Sequence, residues 1–138
     1  SEAKFLGYKS VSCWGSGEPL REFMHVNDLS KAILFALEKF DPNSDDSPVD
    51  DKGKKLTYLN VGTGLDISIK KLAELIADTL NYDGDIIWDQ SKPDGTPKKL
   101  LDIERISKMG WRAEISLKKG IENTVKEYLQ TQKFVSKK

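Results

Sequence analysis

The run Trp14-Gly15-Ser16-Gly17-Glu18-Pro19-Leu20-Arg21-Glu22-Phe23 sets an indole, a glycine-rich turn and a guanidinium close together in the chain. An indole offers a flat apolar wall to a planar ring. A guanidinium fork donates two charge-assisted hydrogen bonds to a pyrophosphate, which an ammonium cannot duplicate. Further on, Ser91-Lys92-Pro93-Asp94-Gly95-Thr96-Pro97-Lys98-Lys99 contains a rigid Pro-Asp-Gly turn. Asp94 could accept hydrogen bonds from sugar hydroxyls there, while Lys98 and Lys99 could face phosphate. Each stretch also has a plainer reading: Arg21 paired to a nearby carboxylate, and a solvated turn around Asp94.

Other groupings are weaker. Gly62-Thr63-Gly64 follows a β-prone run and precedes helical spacing, the setting in which backbone N–H groups can hold a phosphate. A dinucleotide fingerprint would need glycine where Ile67 stands, and no Gly-Lys-Ser/Thr of a P-loop occurs, so a simple strand-to-helix connection is favoured. The spacing of Cys13 and His25 says nothing about their distance in space. Alternation in Val11-Ser12-Cys13-Trp14 makes Cys13 a core residue, and His25 beside a helix start reads as structural. With one cysteine and one histidine there is no set for a structural zinc, and no metal is expected.

The elements that must position these residues follow from pattern. The chain has 138 residues, 22 basic and 22 acidic, is 38% hydrophobic, and has a mean hydropathy of −0.52, as expected of one soluble globular domain. Zero net charge argues against nucleic acid, and Lys137-Lys138 is the only basic arm. No apolar run approaches the roughly 20 residues that cross a bilayer, and Ser1-Glu2-Ala3-Lys4 lacks a signal-peptide layout, so the cytoplasm is the default. Leu29, Ile33, Ala36, Leu37 and Phe40 predict one helix face between Asn27 and Phe40, capped by Asn27 or Asp28. The aspartate-rich stretch from about 41 to 55 predicts a mobile acidic loop. Thr57–Val61 and Asp85–Trp88 read as strands, and Ile69, Leu72, Ala73, Ile76 and Leu80 as a helix behind a Ser68 cap. Asp102 can cap a short helix from Ile103 to Met109, and Ser116 a last one bearing Leu117, Ile121, Val125, Tyr128 and Leu129. Strands separated by helices point to an α/β fold with parallel crossovers. Three short strands make a poor sheet, which leaves a small α/β domain or part of a larger protein whose main sheet lies elsewhere.

Taken together and in order, W-G-S-G-x-P-x-R-E-F-M-H-V-x-D-L from Trp14 to Leu29, L-N-V-G-T-G from Leu59 to Gly64, S-K-P-D-G-T-P-K-K-L-L-D from Ser91 to Asp102, and Gly110-Trp111 resemble the GDP-L-fucose synthase family of extended short-chain dehydrogenases/reductases. The first two elements occur more loosely across that superfamily, whereas the third is much more specific. The resemblance runs from about Glu2 to Leu129. It implies the small C-terminal substrate-binding part, helices with a few short strands, lacking the Rossmann nucleotide domain. The family's reaction is 3,5-epimerisation and NADPH-dependent 4-reduction of GDP-4-keto-6-deoxy-D-mannose, by homodimers. Carried over, Trp14, Arg21 and Asp94 would line the GDP-sugar pocket, with Lys99 a weaker candidate. The resemblance places the catalytic Ser, the Tyr-x-x-x-Lys pair and the epimerisation Cys and His before Ser1. In keeping with that, Tyr8, Tyr58, Tyr82 and Tyr128 are followed four positions on by Ser12, Gly62, Ile86 and Gln132, never by Lys. Cys13 and His25 do not match the epimerisation residues. No NADPH is expected on this chain, which would be inactive alone and would leave exposed the apolar surface that the Rossmann half covers. Other expectations compatible with the residues are the substrate part of another nucleotide-sugar epimerase or dehydratase, or a stand-alone nucleotide, glycan or protein-binding module.

Overall fold

The computed structural model describes residues 1–135, so Lys137 and Lys138 lie outside the described residues. In chain order the elements are α1 (Glu2–Phe5), β1 (Ser10–Trp14), β2 (Leu20–Glu22), α2 (Val26–Lys39), β3 (Asp66–Ser68), α3 (Ile69–Leu80), β4 (Asp85–Asp89), β5 (Lys98–Lys99), α4 (Glu104–Lys108) and α5 (Leu117–Val135). This is an α/β chain with few, short strands. It divides into two compact units, one of Ser1–Arg21, Asp66–Lys99 and Leu117–Lys138, the other of Glu22–Leu65 and Leu100–Ser116.

In the first unit β1 and β4 pair in parallel, Ser10 opposite Asp85 through Trp14 opposite Asp89. A second small sheet has the order β3-β2-β5, with Leu20 opposite Lys98 and Arg21 opposite Lys99, also in parallel. Helix α3 starts where the sequence predicts, because the Ser68 hydroxyl accepts the Lys71 N–H and fills one of the orphan donors of the first turn. It ends at Asn81, whose left-handed conformation returns its N–H to the carbonyls of Ala77 and Asp78. Alternation along β1 sends Val11 and Cys13 to one side, where they line an apolar cavity of about 220 Å³ with Ile86, Ala73, Ile76 and Leu80. Cys13 is half-buried among those groups.

The second unit packs on Ala32, Ile106 and Trp111, with Met24, Phe35, Leu59, Val61, Ile103 and Ala113 around them. Here the structure departs from the pattern. Helix α2 begins at Val26 with His25 as its cap, the imidazole Nδ1 accepting the Asn27 N–H at 3.2 Å, and neither Asn27 nor Asp28 has that role. Asp28 is buried, and its Oδ2 accepts the N–H groups of Glu114 and Ile115 at 3.1 and 2.8 Å. The face turned inward carries Asp28, Ala32 and Phe35; of the predicted stripe Ala36 and Phe40 are half-buried, but Leu29, Ile33 and Leu37 are 40%, 52% and 79% exposed. The helix carries apolar residues on more than one face, and the folded chain covers only one of them. Thr57–Val61 forms no strand either. Leu59 and Val61 alternate into the core as the pattern requires, but among the described residues no neighbouring strand takes up the backbone N–H and C=O groups of a ladder. In the acidic loop, Asp50 accepts the N–H groups of Lys52 and Lys54, both at 2.9 Å, beside an isolated antiparallel bridge of Val49 with Lys55. Those bonds, Lys54 first, hold the Asp50 carboxyl below its ordinary pKa. Helix α4 is shorter than predicted and has Ile103, not Asp102, at its N-cap with no side-chain cap; Asp102 instead closes the turn just before it, its Oδ1 accepting the Glu104 N–H at 2.9 Å. No described helix is long and apolar enough to cross a membrane.

Candidate functional site

Trp14, Arg21, Asp94 and Lys99 all belong to the first unit, on segments that hydrogen bonds tie to one another. β1 ends at Trp14, and the Gly15 N–H that follows donates to the Asp89 carbonyl at 3.0 Å, closing the β1 and β4 ends together. The Asp94 carboxylate then grips the next residue, Oδ1 accepting the Ser16 N–H at 2.8 Å and Oδ2 the Ser16 hydroxyl at 2.6 Å. The Ser16 hydroxyl hydrogen bond, then the Ser16 backbone one, holds the Asp94 carboxyl below its ordinary pKa. Gly15 is required on two counts: its φ is 81°, and a Cβ on it would collide with the Asp94 carboxylate. Asp94 is thus first of all the clamp of the turn that follows Trp14. The remaining lone pairs of its oxygens are what it can offer a hydroxyl.

Trp14 is 76% exposed, an open platform at the strand end. The Lys92 ammonium lies over its ring, 5.6 Å from the centroid. Arg21 makes no ion pair with any carboxylate among the described residues. Its Nη1 donates to the Leu20 carbonyl at 2.6 Å, and its Nη2 lies so close to the Pro-Asp-Gly turn that a Cβ on Gly95 would stand 3.2 Å away. Lys99 is its register neighbour on β5, also without a carboxylate partner among the described residues. Lys98, read with Lys99 as a phosphate ligand, instead pairs with Asp66 at 3.0 Å. The register thus sets two cationic residues opposite each other on neighbouring strands, an arrangement whose charge suits an anion. Lys92 is the residue that pattern reading did not single out. Its proximity to Trp14 comes from the β1 and β4 pairing and leaves no signal in local spacing.

The other candidate cradle is taken. In the second unit, the Thr63 and Gly64 N–H groups donate to Oε1 of Glu22 at 2.5 and 2.6 Å, and the Leu101 N–H to Oε2 at 3.1 Å. A Cβ on Gly62 would stand 2.5 Å from that carboxylate, so the glycine is there to admit Glu22. The turn does bind an anion, but it is the chain's own carboxylate and not a phosphate.

A family model described as the NAD dependent epimerase/dehydratase family matches residues 2–48. The chain is 40% identical over 129 residues to a probable GDP-L-fucose synthase 1 from Oryza sativa subsp. japonica, covering 94% of this chain and 35% of that protein. It is 40% identical over 131 residues to the GDP-L-fucose synthase of Escherichia coli (strain K12), covering 95% and 40%. Among solved structures, a GDP-6-OMe-4-keto-L-xylo-heptose reductase from C. jejuni superposes with a TM-score of 0.78 at 36% identity, over 90% of this chain and 34% of that one. The chain spans 35% and 40% of the length of these two curated relatives. Along almost its whole length, then, this chain is similar to GDP-L-fucose synthases, and it spans somewhat more than a third of their length.

Proposed function

We propose that the chain is the GDP-sugar-binding C-terminal part of an NADPH-dependent GDP-L-fucose synthase, which converts GDP-4-keto-6-deoxy-D-mannose to GDP-L-fucose by 3,5-epimerisation and 4-reduction. The observation that carries this reading is the 40% identity to two GDP-L-fucose synthases across nearly the whole chain. The C. jejuni reductase acts on a different sugar but also on a GDP-linked one, which supports the nucleotide diphosphate as the shared feature. The residues suit such a ligand: Trp14 as the wall for a ring, Arg21 and Lys99 as neighbouring cations for the diphosphate, and Asp94 near the sugar hydroxyls. The described residues do not suit NADPH, because the one glycine turn resembling a phosphate cradle holds Glu22. NADPH, with the Ser, Tyr and Lys of the reduction, is therefore assigned to the rest of the protein. The exposed Leu29, Ile33 and Leu37 stripe supports further polypeptide packing there.

The test is turnover. The product of the native gene should oxidise NADPH when given GDP-4-keto-6-deoxy-D-mannose, and the 138 residues alone should not. Turnover by the isolated chain would refute the division of labour. GDP affinity without any turnover by the native product would favour a binding module.

A further inference from the structure

We propose that Lys92 is a further ligand of the GDP-sugar, resting over Trp14 in the free protein and moving to the diphosphate when a ring takes its place on the indole. The inference rests on the functional reading above and deepens it at the same site. Its first ground is position. Lys92 lies over the ring of an indole that is 76% exposed, and the contact is a weak one between exposed groups that a ligand can displace. The second ground is charge. Three carboxylates on the surrounding segments already have a partner: Asp94 holds Ser16, Asp66 pairs with Lys98, and Asp89 accepts the N–H and hydroxyl of Ser91, while Glu18 makes no ion pair with any of the cations here. Arg21, Lys92 and Lys99 are left without a carboxylate partner among the described residues. A dianionic diphosphate would compensate this surplus. The third ground is mechanical. The Lys92 N–H is fixed to the Asp89 carbonyl at 3.2 Å, so the backbone stays anchored while the unbranched side chain swings.

The test is calorimetry on the native gene product with GDP as the probe, comparing wild type, Lys92→Met and Lys92→Arg at two salt concentrations. Methionine keeps the length and apolar stem and removes only the charge. Lys92→Met should weaken GDP about tenfold, the scale of a hydrogen bond to a charged group. It should also flatten the dependence of affinity on salt, and Lys92→Arg should restore both. A Lys92→Met protein that binds GDP as wild type does overturns the proposal and leaves the functional reading standing. Weakening with an unchanged salt dependence also overturns it, because Lys92 would then only pack against Trp14. A wild type with no affinity for GDP removes the functional reading and this inference together.

Discussion

Asp94 and Glu22 each satisfy the N–H groups of a glycine-containing turn, and in both cases the glycine is the residue that lets the carboxylate approach. For Asp94 the consequence is a pH dependence with a definite sign. Its folded pKa lies below the ordinary value, so the contribution of the Ser16 clamp is complete above the usual carboxylate range near about 3.9 and is lost as pH falls through the lowered value. Replacing Ser16 by Ala should move the Asp94 pKa part of the way back up toward that range, as read by NMR titration of the carboxyl carbon; an unmoved value would mean that the Ser16 hydroxyl is not the cause. Asp28 is the residue whose loss should cost most stability. Asp28→Ala leaves two part-buried N–H groups without their acceptor, for an expected loss of about 1–3 kcal/mol by denaturant unfolding, while Asp28→Asn keeps an oxygen in place and should cost less. Equal losses for the two would show that the charge, not the acceptor, matters. Arg21→Ala should weaken GDP-sugar binding by the native product by about 1.5–3 kcal/mol, and unchanged affinity would take Arg21 out of the site.

At the scale of elements, local signals were legible where one short-range interaction decides the outcome. Ser68 before Ile69 acts through a hydrogen bond to the Lys71 N–H three residues away, so its position is read directly, whereas Asp102 bonds the Glu104 N–H from one residue ahead of the α4 cap at Ile103. The start of α2 was misread because three polar residues compete there and tertiary contacts decide among them: Asp28 is drawn into the core by Glu114 and Ile115, which leaves His25 to cap. The periodicity of α2 was real, but spacing cannot say which of two apolar faces a given stretch of chain will cover. Thr57–Val61 failed as a strand for a related reason, since a strand needs a partner as well as alternation. Changing Leu29, Ile33 and Leu37 together to Gln should reduce dye binding and concentration-dependent association of the 138-residue chain, with little change in its melting temperature. Association that persists unchanged would place the sticky surface elsewhere.

For the molecule as a whole, the likeness to GDP-L-fucose synthases is legible in the ordered motifs, while the arrangement of the candidate residues is not. Trp14, Arg21, Asp94 and Lys99 could each be quoted from the sequence, yet the use of Asp94 as a turn clamp, the pairing of Lys98 with Asp66, and the seat of Lys92 on Trp14 all arise from strand pairings far apart in the chain. We propose that these residues hold the GDP-sugar of a larger NADPH-dependent enzyme. The most direct measurement is NADPH consumption by the native gene product with GDP-4-keto-6-deoxy-D-mannose, with the sugar product identified. The expected product is GDP-L-fucose, formed at a rate that falls sharply when Arg21 is replaced by Ala. NADPH left unconsumed by an intact, folded product, or a rate indifferent to Arg21, would contradict it.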